Sequence, residues 1–275
     1  MFLLAAAADH VNPTDVAPWL TITIICAAMF IVGLGKAGFG GGIGIVVTPL
    51  MAMVISPSPR VLAVTLPAFV VGDLCSIACH PRNYHWPLLK QLLPAAVVGV
   101  ILGSLALRLM QISFADHQHI LNNILALLIG SVSLCIILMQ LYRLTGRTAP
   151  QMPCGTVATI TVGIFEAFLS TLTNSAGVLM ALLLLQMKLS KQHYMTTVLT
   201  YFLVVNAGKF IAFITFNRII TADTLAFIAP YLAIVPVGCL AGVWLNRRID
   251  AKLFTLILYF LAAATASRMI VKVLL

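Results

Sequence analysis

The sequence predicts an all-α integral membrane protein, built as two inverted repeats of about five helices each, with a short or broken helix near the start of each repeat. Three observations carry that prediction. Hydrophobic residues make up 61% of the 275 residues and charged residues 8%, with a mean hydropathy of +1.09. A soluble domain carries roughly 25% charged residues. This chain lacks the polar surface to cover a globule, which excludes a soluble enzyme or a nucleic-acid binder. Long apolar runs without period-two alternation point to helices rather than a barrel. Finally, a glycine pattern in the first half returns in the second.

A spanning helix needs about 20 apolar residues, and roughly ten such segments with short loops use the whole length. In the first half they fall at 18–36, 44–55 (short), 60–79, 87–109 and 119–142. In the second half they fall at 154–172, 176–186 (short), 192–216, 224–245 and 251–275. The polar stretch 143–153, with Gly146, Pro150 and Pro153, is the midpoint boundary. The chain therefore divides into an N-terminal extracytoplasmic segment 1–17, a first repeat 18–145, a linker 146–153 and a second repeat 154–275. The opening MFLLAAAADH has no basic n-region and is not read as a cleaved signal peptide.

The repeat is visible in spacing. Gly99-xxx-Gly103-xxxx-Arg108 returns as Gly238-xxx-Gly242-xxxx-Arg247, each pair 139 positions apart. Upstream, Gly33 pairs with Gly163 at 130 and Thr65 with Thr200 at 135, a one-directional drift expected from loop insertions. The charge is +9, with 16 Lys+Arg against 7 Asp+Glu, and loop cations of this kind set orientation. If every segment crosses, Arg82, Lys90, Arg143, Arg147, Lys188, Lys191, Arg247, Arg248 and Lys252 share one side. Arg60, Arg108, Arg218 and Lys272 share the other, a split of nine to four. If the short segments are re-entrant, the split is six to seven and carries no bias. The positive-inside rule favours five crossings per copy, with both termini outside the cytoplasm. Five is odd, so the copies lie in opposite orientation, as in secondary transporters.

The stretch GLGKAGFGGGIG, residues 33–44, is the most informative. Gly33, Gly35 and Gly38 fit G-x-G-x-x-G literally, but a dinucleotide site needs a preceding strand, and here a membrane helix precedes. Close helix packing through small-xxx-small pairs is one reading. The other is a helix break at Gly40, Gly41 and Gly42, since consecutive glycines are poor helix formers. Non-helical backbone at membrane depth is tolerated only against protein or a water-filled cavity. The next helix would then aim its first amides, and its positive dipole end, at an anion. The corresponding stretch in the second half is STLTNSAG, residues 170–177, where Thr173, Asn174 and Ser175 are N-cap types. Two facing helix starts, with no acidic residue in either break, would cradle one small anion.

Four ionisable residues fall inside apolar runs: Lys36, Asp73, Glu166 and Lys209, the last in Asn206-Ala-Gly-Lys209. Each costs roughly 2.5–3.5 kcal/mol or more in lipid if unpaired. Three roles compete and can overlap. They are structural ion pairs (Asp73 with Lys36, Glu166 with Lys209), anion binding by Lys36 or Lys209, and proton coupling by Asp73 or Glu166. Lys36 near a helix end can also snorkel to an interface. Pro49, Pro67, Pro94, Pro230 and Pro236 would kink helices or shape openings, or be tolerated in the packed bundle. The six cysteines, 26, 75, 79, 135, 154 and 239, lie mostly in apolar runs and do not form a disulfide framework. Cys75, Cys79 and His80 share a helix face, which small apolar packing explains as well as a metal would. His80, His85, His117, His119 and His193 are loop-proximal and are read as interfacial, with no ligand role. No cofactor or metal is expected.

Gly33-Leu-Gly-Lys-Ala-Gly-Phe-Gly-Gly-Gly42 followed by Thr48-Pro49-Leu50 resembles the opening motif of the TauE/SafE sulfite-exporter-like transporters, the TSUP permeases. Lys188, Tyr194-Met-Thr-Thr197 and Asn206-xx-Lys209 resemble that family's second-half motif, and the resemblance covers nearly the whole chain. The second break departs from the Gly-Gly-Pro-like turn of many members, reading Ala176-Gly177-Val178. The resemblance implies transport of a small anion, often sulfur-containing (sulfite, a sulfonate or thiosulfate), across the bacterial inner membrane. The expected partners are that anion, the lipid bilayer and, under the coupling role, a proton. Lys36, Gly40, Gly41 and Gly42 would meet the anion from one side, and Thr173, Asn174, Ser175, Asn206 and Lys209 from the other. The alternatives are an anion channel of the same fold and an intramembrane enzyme. The enzyme is disfavoured by a single glutamate and by histidines that reach no deeper than the first two positions of a spanning segment, His119 and His193.

Overall fold

The structure is a computed structural model that describes residues 17–55, 59–80, 83–144, 155–187, 189–246, 263–268 and 270–271. Ten named helices run through these residues. They are α1 (Pro18–Phe39), α2 (Gly44–Ala52), α3 (Pro59–Cys79), α4 (Trp86–Ser113) and α5 (Gln118–Leu144), then α6 (Thr156–Thr173), α7 (Gly177–Gln186), α8 (Lys191–Thr215), α9 (Ala222–Leu232) and α10 (Ile234–Asn246). Residues 263–268 are also helical. Residues 1–16, the linker and most of 251–275 lie outside the described residues, as do Arg82, Arg147, Cys154, Lys188, Arg247, Arg248, Lys252 and Lys272. The charge count that favoured five crossings per half therefore rests largely on residues outside the description.

The described residues are all-α, and six of their helices are long and apolar enough to cross a membrane, seven if the bent pair α9–α10 is one span. The short helices are the short or broken helices expected near the start of each repeat. With nine and ten residues, α2 and α7 reach about 14 and 15 Å, half of the ~30 Å hydrocarbon core. Segment 224–245 is kinked, as its prolines lead one to expect: the helix is interrupted at Ala233 and bends by 44°. Proline at 236 has no N–H to give the Leu232 carbonyl, which places the interruption. By contrast, α3 and α4 pass Pro67 and Pro94 as single helices.

Packing explains the repeated glycines. Helix α1 packs most extensively on α10, and α4 on α6. A methyl group added at Gly238 or Gly242 would strike the Phe30 or Leu34 carbonyl oxygen of α1. One added at Gly99 or Gly103 would strike Ile164, Ala167, Phe168 or Thr171 of α6. Each Gly-xxx-Gly thus lets the fourth segment of one half approach the first of the other, as small residues do in membrane bundles. Helices α3 and α8 cross between these two pairs, and α2 meets α7. Outward faces are apolar, with Ile101, Leu105, Ile211 and Leu240 exposed. All three tryptophans are exposed within three residues of a helix end: Trp19, Trp86 and Trp244. That is where an aromatic belt meets the lipid headgroups.

Candidate functional site

Both helix breaks form, and they touch. Helix α1 ends at Gly40, and Gly40, Gly41 and Gly42 take φ of +79°, +105° and +77° in succession. Side chains rarely adopt that left-handed region, which is why the run is glycine. Their amides still serve the helix end: Gly40 N–H donates to the Lys36 carbonyl (3.1 Å) and Gly41 N–H to Gly35 (3.4 Å). Helix α6 ends at Asn174 with φ of +54°, its N–H bonded to the Ser170 carbonyl at 2.8 Å. Asparagine is among the few residues that tolerate this conformation. The expectation of an N-cap at Asn174 is corrected here. It caps the end of α6, while the residue before α7 is Ala176, without a side-chain cap. Gly44 is packed so tightly on Asn174 that an added methyl would overlap its carbonyl oxygen, and Ser175 Oγ donates to Gly44 O at 3.3 Å.

Around this junction lies a cavity of about 20 Å³. Gly42, Ile43, Gly44 and Gly177 bring the starts of α2 and α7 to its wall. Lys36, Asn206, Lys209, Ser170 and Asn174 supply the polar side chains, and Phe69 and Phe202 the apolar ones. Gly40, Gly41, Thr173 and Ser175 stand behind the wall: the Thr173 hydroxyl turns back to Leu169 O (2.8 Å), and Ser175 stitches the breaks together. About one water fits such a volume, which is less than an oxyanion of four heavy atoms needs. The site is closed in this conformation.

Its charges are arranged unequally. Lys36 Nζ donates to Asp73 Oδ1 at 2.5 Å, and its ammonium lies 5.3 and 5.2 Å from the ring centroids of Phe69 and Phe202. Asn206 Nδ2 donates to the other oxygen, Asp73 Oδ2, at 2.6 Å. Both atoms of a fully buried carboxylate are thus satisfied, and the Lys36–Asp73 pair expected from sequence is formed. Lys209 is different. Its Nζ reaches Asn174 Oδ1 (2.8 Å), Ser170 Oγ (3.2 Å) and Ser170 O (3.4 Å). Three acceptors match the three N–H donors of an ammonium. The Asn174 amide orientation is fixed from its other side, where Nδ2 faces the Leu62 carbonyl (3.3 Å) and Thr65 Oγ1 (2.9 Å). Among the described residues no carboxylate lies within ion-pair distance of Lys209. The expected Glu166–Lys209 pair is replaced by a contact between Glu166 Oε2 and the Tyr201 hydroxyl at 2.5 Å, behind the cavity wall.

Sequence reasoning missed Phe69, Phe202, Ser170 and Tyr201, and took Thr65 only as a repeat marker. A signal existed: Phe69-xxx-Asp73 on α3 and Phe202-xxx-Asn206 on α8 share one spacing. The two aromatics flank Lys36, and the two polar residues bond each other. Among the described residues no three His, Cys, Asp or Glu gather to hold a metal, and the ring of His80 is bonded to the Ser76 carbonyl (2.8 Å), so the Cys75–Cys79–His80 reading is dropped.

A larger hollow of about 450 Å³ opens beside the first break, walled in part by Gly38, Phe39, Met195, Lys191 and Asn246. It lacks the buried charges and holds one exposed cation, Lys191, which donates to Asn246 Oδ1 at 2.5 Å. Gly40 lies against Met195 and Val198, and Gly41 against Phe202, between this hollow and the closed cavity. The buried charges line the small space, and the large one adjoins it.

Compared with known proteins, residues 25–269 match the model of the sulfite exporter TauE/SafE family. No curated protein and no solved structure matches the chain.

Proposed function

Because the chain belongs to the sulfite exporter TauE/SafE family, we propose that it is a secondary transporter for a small sulfur-containing anion of the sulfite, sulfonate or thiosulfate class. It works by alternating access between two inverted repeats in the bacterial inner membrane. The observation that carries this reading is the meeting of two helix starts beside Lys36 and Lys209. Amides at a helix start attract negative charge. Lys36 is neutralised by Asp73, whereas Lys209 is held by neutral acceptors only, so the wall keeps a positive surplus for an anion to balance.

The closed cavity supports a carrier over a channel. An anion enters only when Phe202 and the Gly40–Gly42 backbone move apart, opening the larger hollow, as a vestibule, toward Lys36. The reciprocal packing of α1 on α10 and α4 on α6 gives the inverted repeats rigid pairs that can rock about the α3–α8 crossing. Proton coupling by Asp73 or Glu166 belongs to the same reading.

Sulfite and thiosulfate flux into proteoliposomes tests it. Lys36→Ala and Lys209→Ala are each expected to lower flux at least tenfold, with Lys209→Ala the cleaner variant because it strands no carboxylate. Full flux in both variants would remove the binding role.

A further inference from the structure

Glu166 is fully buried on α6, and its surroundings fix how many protons it holds. The Tyr201 hydroxyl lies between two oxygens, Gly163 O at 2.9 Å and Glu166 Oε2 at 2.5 Å. A carbonyl only accepts, and a phenol has one hydrogen to give. Each contact is a full two-centre hydrogen bond only if the tyrosine donates to Gly163 and the carboxyl donates to the tyrosine; one phenol hydrogen shared between both oxygens would leave each bond weak. The other oxygen, Glu166 Oε1, is buried and has no hydrogen-bond partner among the described residues. A bare oxygen is a modest cost on a neutral carboxyl and a severe one on a carboxylate. Asp73 is the internal contrast, with a donor on each oxygen and an ammonium on one.

We propose that Glu166, Tyr201 and the Gly163 carbonyl form a proton-binding site, occupied in this closed conformation, and that Glu166 rather than Asp73 carries the proton exchanged during transport. Tyr201 is the positioning residue: it receives the carboxyl proton and anchors the acceptor side on the α6 backbone. The charged groups acting on Glu166 are Lys209 from α8 and Lys36 from α1. Helices α4 and α7 bring apolar side chains to this stretch of α6, Leu92 and Ala95 from the first and Met180 from the second. With Asp73 ionised, both lysines charged and Glu166 neutral, the four groups sum to a single positive charge. One singly charged anion, such as hydrogen sulfite or a monosulfonate, balances that charge in full, and a dianion such as thiosulfate is balanced only in part. Loss of the proton makes the four groups neutral and removes the surplus that holds the anion, so proton and anion occupy the protein together. This rests on the transport reading for its direction, whereas the proton site itself does not.

The test is therefore independent of transport. Infrared spectra of the purified full chain near neutral pH report the carbonyl stretch of a protonated carboxyl. The expected result is a band that vanishes in Glu166→Gln, shifts in Tyr201→Phe through loss of its hydrogen-bond partner, and is untouched in Asp73→Asn. The absence of the band, its survival in Glu166→Gln, or its loss in Asp73→Asn overturns the assignment. A failed flux assay with the band in place would instead fault the transport reading.

Discussion

The first helix break is made of three left-handed glycines and contributes no side chain to the junction, whereas the second is turned by one left-handed asparagine whose side chain bonds three partners. Both solve one problem, ending a helix inside the protein without stranding its carbonyls. Glycine solves it with backbone freedom and leaves amides and space. Asparagine solves it with a side chain that also grips Lys209, Thr65 and the Leu62 carbonyl. The halves differ in charge in the same sense. The lysine beside the glycine break is paired with a carboxylate, and the lysine beside the asparagine break is held by neutral acceptors. The two halves thus line the cavity differently, with glycine backbone on one side and, on the other, a lysine held by neutral acceptors.

The charge asymmetry predicts the largest difference. Asp73→Ala strands a buried ammonium, a loss of about 3–5 kcal/mol. Glu166→Ala removes a neutral group and strands only the tyrosine contact, about 1–3 kcal/mol. Thermal unfolding of the purified chain should place the Asp73 variant clearly below the Glu166 variant. Equal destabilisation would mean that Glu166 is also part of an ion pair, and the contrast between the halves would fall.

Contact between the breaks gives the next effect. Gly44→Ala pushes a methyl group into the Asn174 carbonyl oxygen, where backbone meets backbone and neither side chain can yield. About 1–3 kcal/mol is expected from such overpacking. Gly208→Ala, in mid-helix on α8, meets only ordinary contacts with Val100 and should be neutral or gain up to about 1 kcal/mol in helix propensity. If Gly44→Ala melts at or above Gly208→Ala, the breaks do not touch as described.

Much of this was legible because charge and glycine stand out in an apolar chain. Lys36, Asp73 and the run at 40–42 are conspicuous, and the Lys36–Asp73 pair and the first break are where they point. Tyr201, Phe69 and Phe202 were not legible, because aromatic residues at helical spacing serve packing just as often. The role of Asn174 was misplaced for a geometric reason. Only three residues separate α6 from α7, so the end of one helix and the start of the next compete for the same positions. Pro230 and Pro236 both marked segment 224–245, but composition alone does not say which of two prolines interrupts a helix.

Exchanging the break chemistry gives the smallest and most specific effect. Asn174→Gly keeps the left-handed turn and relieves its backbone strain, while removing the amide bonds to Lys209 and Thr65. Water in the adjoining cavity can replace the acceptor lost by Lys209. The net cost is about 1 kcal/mol, near that of one hydrogen bond. Asn174→Ala loses the same bonds and adds the left-handed penalty of a residue with a Cβ, a further 1–2 kcal/mol or so. The order of melting temperatures should therefore be wild type, glycine, alanine. If alanine matches glycine, the left-handed turn at 174 does not exist in the folded chain. If glycine matches wild type, the grip on Lys209 contributes nothing, and the second break reduces to a copy of the first.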